Sequence, residues 1–322
     1  MQARRNILKT TIALALFGNM ALAAAQGAYP DKPIRIVVPS SPGSFLDMLA
    51  RQVGERMFQQ LGQSVVVENK TGASGILAYD MVAKSKPDGY TIGMVQAGFV
   101  SNKFLYKNVH YDEFKDFAPI ALIARSPMIL VTRNDYPSSS LSELKQAGKA
   151  SPGKLTYASV NGANYMNTEL MRKQLDLDLR HIPYKETSQA LTDVLAGHVD
   201  VYLASYSAAL PMIRGGKMKA FATLSKGRIA EFPNVPSANE LGMSGDIQTW
   251  AGLLAPAGTP PAVVAKLHDV VNRIVAEPAV RAKLVESGYE PFIQSSSDFT
   301  DLMRREIDTY ARVAKETGVT PE

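Results

Sequence analysis

Cysteine is absent from the 322 residues, which excludes a disulfide-stapled scaffold, zinc fingers and iron–sulfur centres, all built on cysteine sulfur. It also excludes a lipid tether through a cysteine at an export-signal cleavage site. Histidine is scarce. His110, His181, His198 and His268 are scattered without the H-E-x-x-H spacing that sets two metal ligands on one helical face, so each reads as a surface or packing residue. No repeat or low-complexity tract occurs. What remains is 46% hydrophobic and 20% charged, an ordinary globular composition, and its length predicts about two domains with self-sufficient cores.

The N-terminus reads as an export signal over residues 1–25. Arg4, Arg5 and Lys9 form a positive segment, Thr10 to Leu22 is apolar but short of the ~20 residues a spanning helix needs, and Ala23-Ala24-Ala25 offers small residues for cleavage near Ala25. The run from Arg4 to Lys9 also resembles a twin-arginine signal, with a general secretory signal equally open. Both routes place the mature chain in the bacterial periplasm. Without those three cations the net charge falls from +5 to about +2, so no nucleic acid partner is implied.

Strands alternate with helices along the mature chain, the pattern of parallel sheets covered on both faces. The β-branched run Ile34–Val38 ends in a Pro/Ser/Gly turn. A helix follows with Leu46, Leu49, Ala50, Val53 and Met57 on one face, closed by Gly62. Further strands are expected at 64–68, 90–95, 155–159, 179–182, 199–204 and 220–224, with helices between them. Two apolar strands, 120–132 and 247–254, are long enough to pass from one sheet to another, which predicts two α/β lobes with a ligand cleft at the strand C-termini. From Pro260 onward the pattern is purely helical.

The search for catalytic constellations is negative. Gly72-Ala73-Ser74-Gly75 lacks a spacer of the G-x-S-x-G elbow, and Gly215-Gly216-Lys217 has neither the spacing of a phosphate-binding loop nor its Ser/Thr. Ser151-Pro152-Gly153-Lys154 matches S-x-x-K but sits in a Pro-Gly turn, and Lys70-Thr71-Gly72 precedes it in the wrong order. No catalytic residue, metal or cofactor is implied. The chain does supply strand-to-helix turns of small residues with open backbone N–H groups. Ser44-Phe45-Leu46-Asp47 fits a capping box, and Ser159 to Asn164 forms a second such turn. Such helix starts serve as plain caps or hold anions, and two of them facing across a cleft suggest a carboxylate clamp.

Several strings then resemble one family throughout the mature chain. They include Tyr29-Pro30 with Lys32-Pro33-Ile34-Arg35, Val37-Val38-Pro39 with Pro42-Gly43 and Asp47, Val66-Val67-Glu68-Asn69, and Pro87-Asp88-Gly89-Tyr90-Thr91. Later matches are Lys115-Asp116-Phe117-Ala118-Pro119, Pro152-Gly153-Lys154-Leu155, Tyr157-Ala158-Ser159, Pro183-Tyr184-Lys185, Ala190-Leu191-Thr192-Asp193 and Gly252 to Pro260. Together they resemble the substrate-binding receptors of tripartite tricarboxylate transporters, also called the Bug family. The resemblance implies an α/β two-lobed periplasmic binding protein, type II-like, with crossover strands. Lobe 1 would comprise 26–125 plus 252–322 and lobe 2 residues 126–251. It implies a monomer that closes on a small organic carboxylate and delivers it to membrane permease subunits, with no reaction. Alternatives from other classes are a ligand-sensing receptor for a two-component sensor and an enzyme on the same scaffold.

The ligand-binding set that the resemblance carries over is Ser41, Gly43, Ser44, Phe45 and Asp47, with Gln96 and Ala97 after the third strand. From the second lobe come Ser159, Asn161, Gly162, Ala163, Asn164 and Tyr165, with Ser205 and Tyr206. The chain departs from the family pattern in these loops. Ser44-Phe45-Leu46 stands where Gly-Gly-Thr is usual, Leu203 to Tyr206 where Phe-Asp-Asn is usual, and Glu186 replaces a glycine. Phe45, Tyr165 and Tyr206 thus add ring surface around the expected cleft, pointing to an aromatic dicarboxylate such as terephthalate.

Overall fold

A computed structural model describes residues 29–243 and 247–321; the expected export signal over 1–25 lies outside them. The first sheet begins with β1 (Ile34–Val38), flanked in parallel by β2 (Val65–Asn69) and β3 (Thr91–Gln96). Next to β3 runs β9 (Gln248–Pro256), antiparallel, and beside it the first half of β4 (Phe117–Arg133). The second half of β4 belongs to another sheet, where it pairs with β7 (Val201–Ser205) and β8 (Met218–Thr223). There β5 (Thr156–Ser159) lies parallel to both β7 and β6 (Arg180–Pro183).

At roughly 3.3 Å per residue, the 17 residues of β4 span about 55 Å, enough to serve both sheets in turn. Pro127 marks the change. It faces Gln248 of the first sheet, whereas Met128 faces Ser205 of the second. A proline contributes no N–H to a ladder, so a change of partner at that residue leaves no donor stranded.

The expectation of two crossover strands is half met. All of β9 is paired within the first sheet, and the chain returns from the second sheet through Ile247, whose N–H donates to Leu224 and whose carbonyl accepts from Met128. The return therefore falls at Gln248 rather than Gly252. The C-terminal part is also not purely helical. A two-residue strand, β10 (Glu290–Pro291), pairs antiparallel with β4, fixed by a bidentate Arg125–Glu290 bond at 2.8 and 2.9 Å. A two-residue strand carries no periodicity to detect.

Helices cover both faces. The expected apolar stripe of α1 (Phe45–Leu61) is buried, and Gly62 ends the helix in a left-handed conformation, as helix C-termini prefer. Its stripe packs with Ile34 and Ile36 and with Leu267, Val271 and Ile274 of α8 (Pro261–Ala276). Then come α2 (Ile76–Ala83), the short α3 (Gly98–Ser101), α4 (Leu141–Ala150), α5 (Gly162–Gln174), α6 (Thr187–Ala196), α7 (Tyr206–Arg214) and α9 (Pro278–Glu286). The last helix, α10 (Ser296–Thr317), starts with a complete capping box at Ser295 and Asp298. It lies against β4, α3 and α5, where Lys173 meets Glu316 at 2.9 Å, so it touches both lobes.

Candidate functional site

A cavity of about 840 Å³ opens between the lobes, within the range of small-molecule sites. Four helices of nine or more residues begin on its wall, α1, α5, α6 and α7. Each follows a strand directly, so the strand ends bring all four starts to one place. Among the described residues no Lys, Arg or His lines the cavity, and its charged residues are Glu186 and Glu286. Positive potential there comes from oriented N–H groups and helix dipoles.

The start of α1 is more elaborate than a capping box. Ser44 Oγ accepts from the Asp47 N–H at 3.3 Å, yet the return bond goes from Gly43 N–H to Asp47 Oδ2 at 2.9 Å, and the Ser44 N–H donates to Ser41 instead. Gly43 has φ of 79°, a left-handed position suited to glycine. Asp47 is buried and also accepts from Arg51 at 3.1 Å and from Asn69 at 2.9 Å. Asp47 therefore holds the loop rather than lining the cavity, and Ser41 is exposed and off the cavity wall, which Ser40 joins instead.

The Arg51 guanidinium, with the Gly43 and Asn69 donors, outweighs burial and keeps the Asp47 carboxyl below the usual carboxylate range. A depressed carboxyl stabilises the fold above its unfolded value of about 4, and that stability is lost as pH falls through the folded value. Asp47→Asn is accordingly expected to lose less stability between pH 5 and pH 2 than the parent. Parallel urea-unfolding profiles of the two proteins would contradict this.

In the second lobe Asn161 caps α5 by accepting from the Asn164 N–H at 2.9 Å. Asn164 ties the turn to β7, donating to the Leu203 carbonyl at 2.6 Å. Val160, Asn161, Ala163, Asn164 and Asn167 reach the cavity, as do Gln96, Ala97 and Ser205. Ser159, Gly162 and Tyr165 do not line it. Ser159 Oγ lies 2.6 Å from His181 Nε2, and the Tyr165 ring packs on the same imidazole at 4.7 Å. Burial lowers the His181 pKa, leaving a neutral ring. Although that spacing suits a nucleophile and base, both groups are off the cavity wall. An added Cβ at Gly162 would press on the tip of the Leu105 side chain, which would have to shift.

Tyr206 also turns away. Ser205 and Ser207 line the cavity, whereas Tyr206, the first residue of α7, does not. Its hydroxyl donates to Glu231 at 2.6 Å and its ring meets Phe232 edge-on at 5.7 Å. Phe45 does reach the cavity, stacked on Tyr289 at 3.5 Å with planes 5° apart.

Sequence reasoning missed several wall residues, chiefly Thr187 and Ser188 at the start of α6. Unlike α1, α5 and α7, this helix has no side-chain cap; Glu186 precedes it in an extended conformation. The signal was available, because Tyr184 to Ser188 is another strand-to-helix turn with small polar residues. Tyr289, Ser287 and Glu286 come from a distant segment and had no local signal.

Two α/β lobes joined by a continuous strand, with helix N-termini converging on the cleft between them, define a solute-binding receptor. Residues 49–319 match the tripartite tricarboxylate transporter family receptors. A UPF0065 protein of Bordetella pertussis is 34% identical over 316 residues, 97% of each chain. A structure described as R. palustris Rpa4515 with adipate superimposes with a TM-score of 0.82 at 30% identity, covering 91% of this chain and 100% of that one. MatC from Rhodopseudomonas palustris with bound malate gives 0.78 at 31%, covering 88% and 99%. The chain belongs to the tripartite tricarboxylate transporter receptor family, the Bug receptors, which are periplasmic solute-binding proteins.

Proposed function

We propose that this receptor captures a small organic dicarboxylate in the periplasm and hands it, chemically unchanged, to the membrane permease subunits of a tripartite transporter. The observation that carries the reading is the convergence of four helix N-termini on a cavity that, among the described residues, is lined by no cationic side chain. A carboxylate at each end of the ligand takes N–H groups from α1 on one lobe and from α5, α6 and α7 on the other. As a monomer, it closes the lobe of the first sheet, up to Pro127 and again from Gln248, onto the lobe of the second sheet between them, by twisting along β4 and at Ile247.

For the ligand body, the Phe45–Tyr289 stack offers a ring face on the wall, which favours a benzene dicarboxylate such as terephthalate. Tyr165 and Tyr206 no longer support that preference. Burial of a ring at roughly 25 cal/mol per Å² and about 0.5–1.5 kcal/mol per ring pair are the expected gains. The adipate-bound relative supports an aliphatic dicarboxylate as the second reading.

Calorimetry with adipate, malate, phthalate isomers and benzoate tests both. Terephthalate is expected to bind more tightly than adipate, and Phe45→Ala to reduce that preference by roughly three- to tenfold. Tighter adipate binding would favour the aliphatic reading, and a panel in which no carboxylate binds would reject the receptor function itself.

A further inference from the structure

Behind the hinge lies a second cavity, of about 550 Å³. Its walls come from β4, β9, α10 and the segment after β10 on one side, and from α5 and the turn after β8 on the other. It is separate from the ligand cleft apart from Asn167, which lines both.

Its lining is about equally apolar and polar. Leu122, Leu170, Ile247, Phe292 and Leu302 form a continuous apolar part. The polar part includes Glu306, Trp250 and Tyr310, with Gln248, Gln294 and Thr309. Glu306 Oε2 accepts from Trp250 Nε1 at 2.9 Å, and Tyr310 is hydrogen-bonded to the Asn167 side chain. Four cations face the same space, Arg125, Lys226, Arg305 and Arg312. Arg125 is bound to Glu290 and lies over the Phe292 ring at 4.4 Å. The other three are exposed and form no salt bridge among the described residues. An excess of cations on a wall whose one carboxylic residue, among the described residues, is Glu306 disfavours an ammonium ligand and favours an anion with an apolar body.

We propose that this cavity is a second binding site, for a monocarboxylate with an aliphatic tail. Its carboxylate accepts a hydrogen bond from the Glu306 carboxyl beside Arg305 and Lys226, and its tail lies along Leu122, Leu170 and Leu302. Glu306 suits this role. Although it keeps some exposed surface on the cavity wall, its carboxyl is deep enough that burial pushes its pKa up to about 8, against a smaller opposing effect of Trp250 and Arg305. At neutral pH it therefore holds a proton to donate to an anionic head.

The groups facing Glu306 are Trp250 from β9, Arg125 from β4, Asn167 from α5, Lys226 from the turn after β8, and Arg305, Tyr310 and Arg312 from α10. The nearby Arg125 is already neutralised by Glu290. Above about pH 8 Glu306 ionises, and two carboxylates then repel at hydrogen-bond distance. Affinity for an anionic tail is thus highest between about pH 5, where an ordinary carboxylic acid is ionised, and about pH 8.

Sodium octanoate is the probe. Calorimetry is expected to show saturable 1:1 binding, accompanied by a change in the emission of Trp250, the single tryptophan. Arg305→Glu, on the exposed rim, is expected to weaken binding at least roughly tenfold. Glu306→Gln keeps a donor and an acceptor for Trp250, so it is expected to bind octanoate at pH 7 and to lose the parent's decline above pH 8. Ala208→Trp fills the first cleft and is expected to leave octanoate binding intact. Absence of saturable binding, an unaffected Arg305→Glu, or loss on Ala208→Trp would each overturn the proposal, the last by placing octanoate in the ligand cleft.

Discussion

Replacing Thr187 by proline is expected to cost ligand affinity roughly 10- to 100-fold while shifting the unfolding midpoint no further than Thr187→Ala does. Thr187 is the first residue of α6, where proline's fixed φ is already helical and its missing N–H belongs to no intrahelical bond. The preceding Glu186 has φ of −133° and ψ of 141°, the extended region that a residue before proline requires. The substitution is therefore stereochemically clean. It removes one N–H from the uncapped helix start on the cavity wall, and a hydrogen bond to a charged group contributes about 1.5–3 kcal/mol.

Thr187 also loses its hydroxyl contact with Tyr202, so Thr187→Ala is the control. Calorimetry of the parent and both variants with the tightest dicarboxylate of the panel separates the effects. If Thr187→Pro binds as well as Thr187→Ala, the α6 N–H is not a ligand contact.

Phe299→Ala is expected to lower stability by about 3–5 kcal/mol, the range for emptying a large buried ring. Phe299 is fully buried, meets the Trp250 indole edge-on at 5.3 Å, and occupies the space over Gly252. A Cβ at Gly252 would come within 2.7 Å of that ring and 2.9 Å of the Ala121 carbonyl. Glycine on β9 and phenylalanine on α10 are thus complementary shapes that lock the last helix onto the hinge. Urea unfolding followed by Trp250 emission reads the change directly. A loss below about 1 kcal/mol would mean that the helix contributes little to holding β9.

The regular elements were legible because each carried a local signal. The apolar stripe of α1 recurs at helical spacing and stops at Gly62, and the β-branched run of β1 stops at Pro39. The cleft was legible only where a turn announced it. Gly43, Ser44, Asn161 and Ser205 sit in such turns and do reach the wall or its edge, and Thr187 and Ser188 could have been found in the same way.

Orientation was the weak point. Whether Tyr206 faces cavity or core depends on how the first turn of α7 is rotated about its axis, and Asp47 looks equally polar as a ligand contact or as the anchor of its own loop. Tyr289 and Glu306 depend on segments far apart in sequence meeting in space, for which periodicity holds no information.

Because β4 passes through both sheets without a break, the lobes share a backbone ladder where other two-lobed proteins could place a loop. Any rotation between them is taken up as torsion along the strand. A few degrees per residue lies well inside the roughly 10–35° range over which strand twist normally varies. Such a hinge works like a torsion rod: it yields a little everywhere and opens nowhere. If the lobes close by such torsion, its amides are expected to stay shielded from exchange and its peptide bonds from proteases through each cycle of filling and emptying.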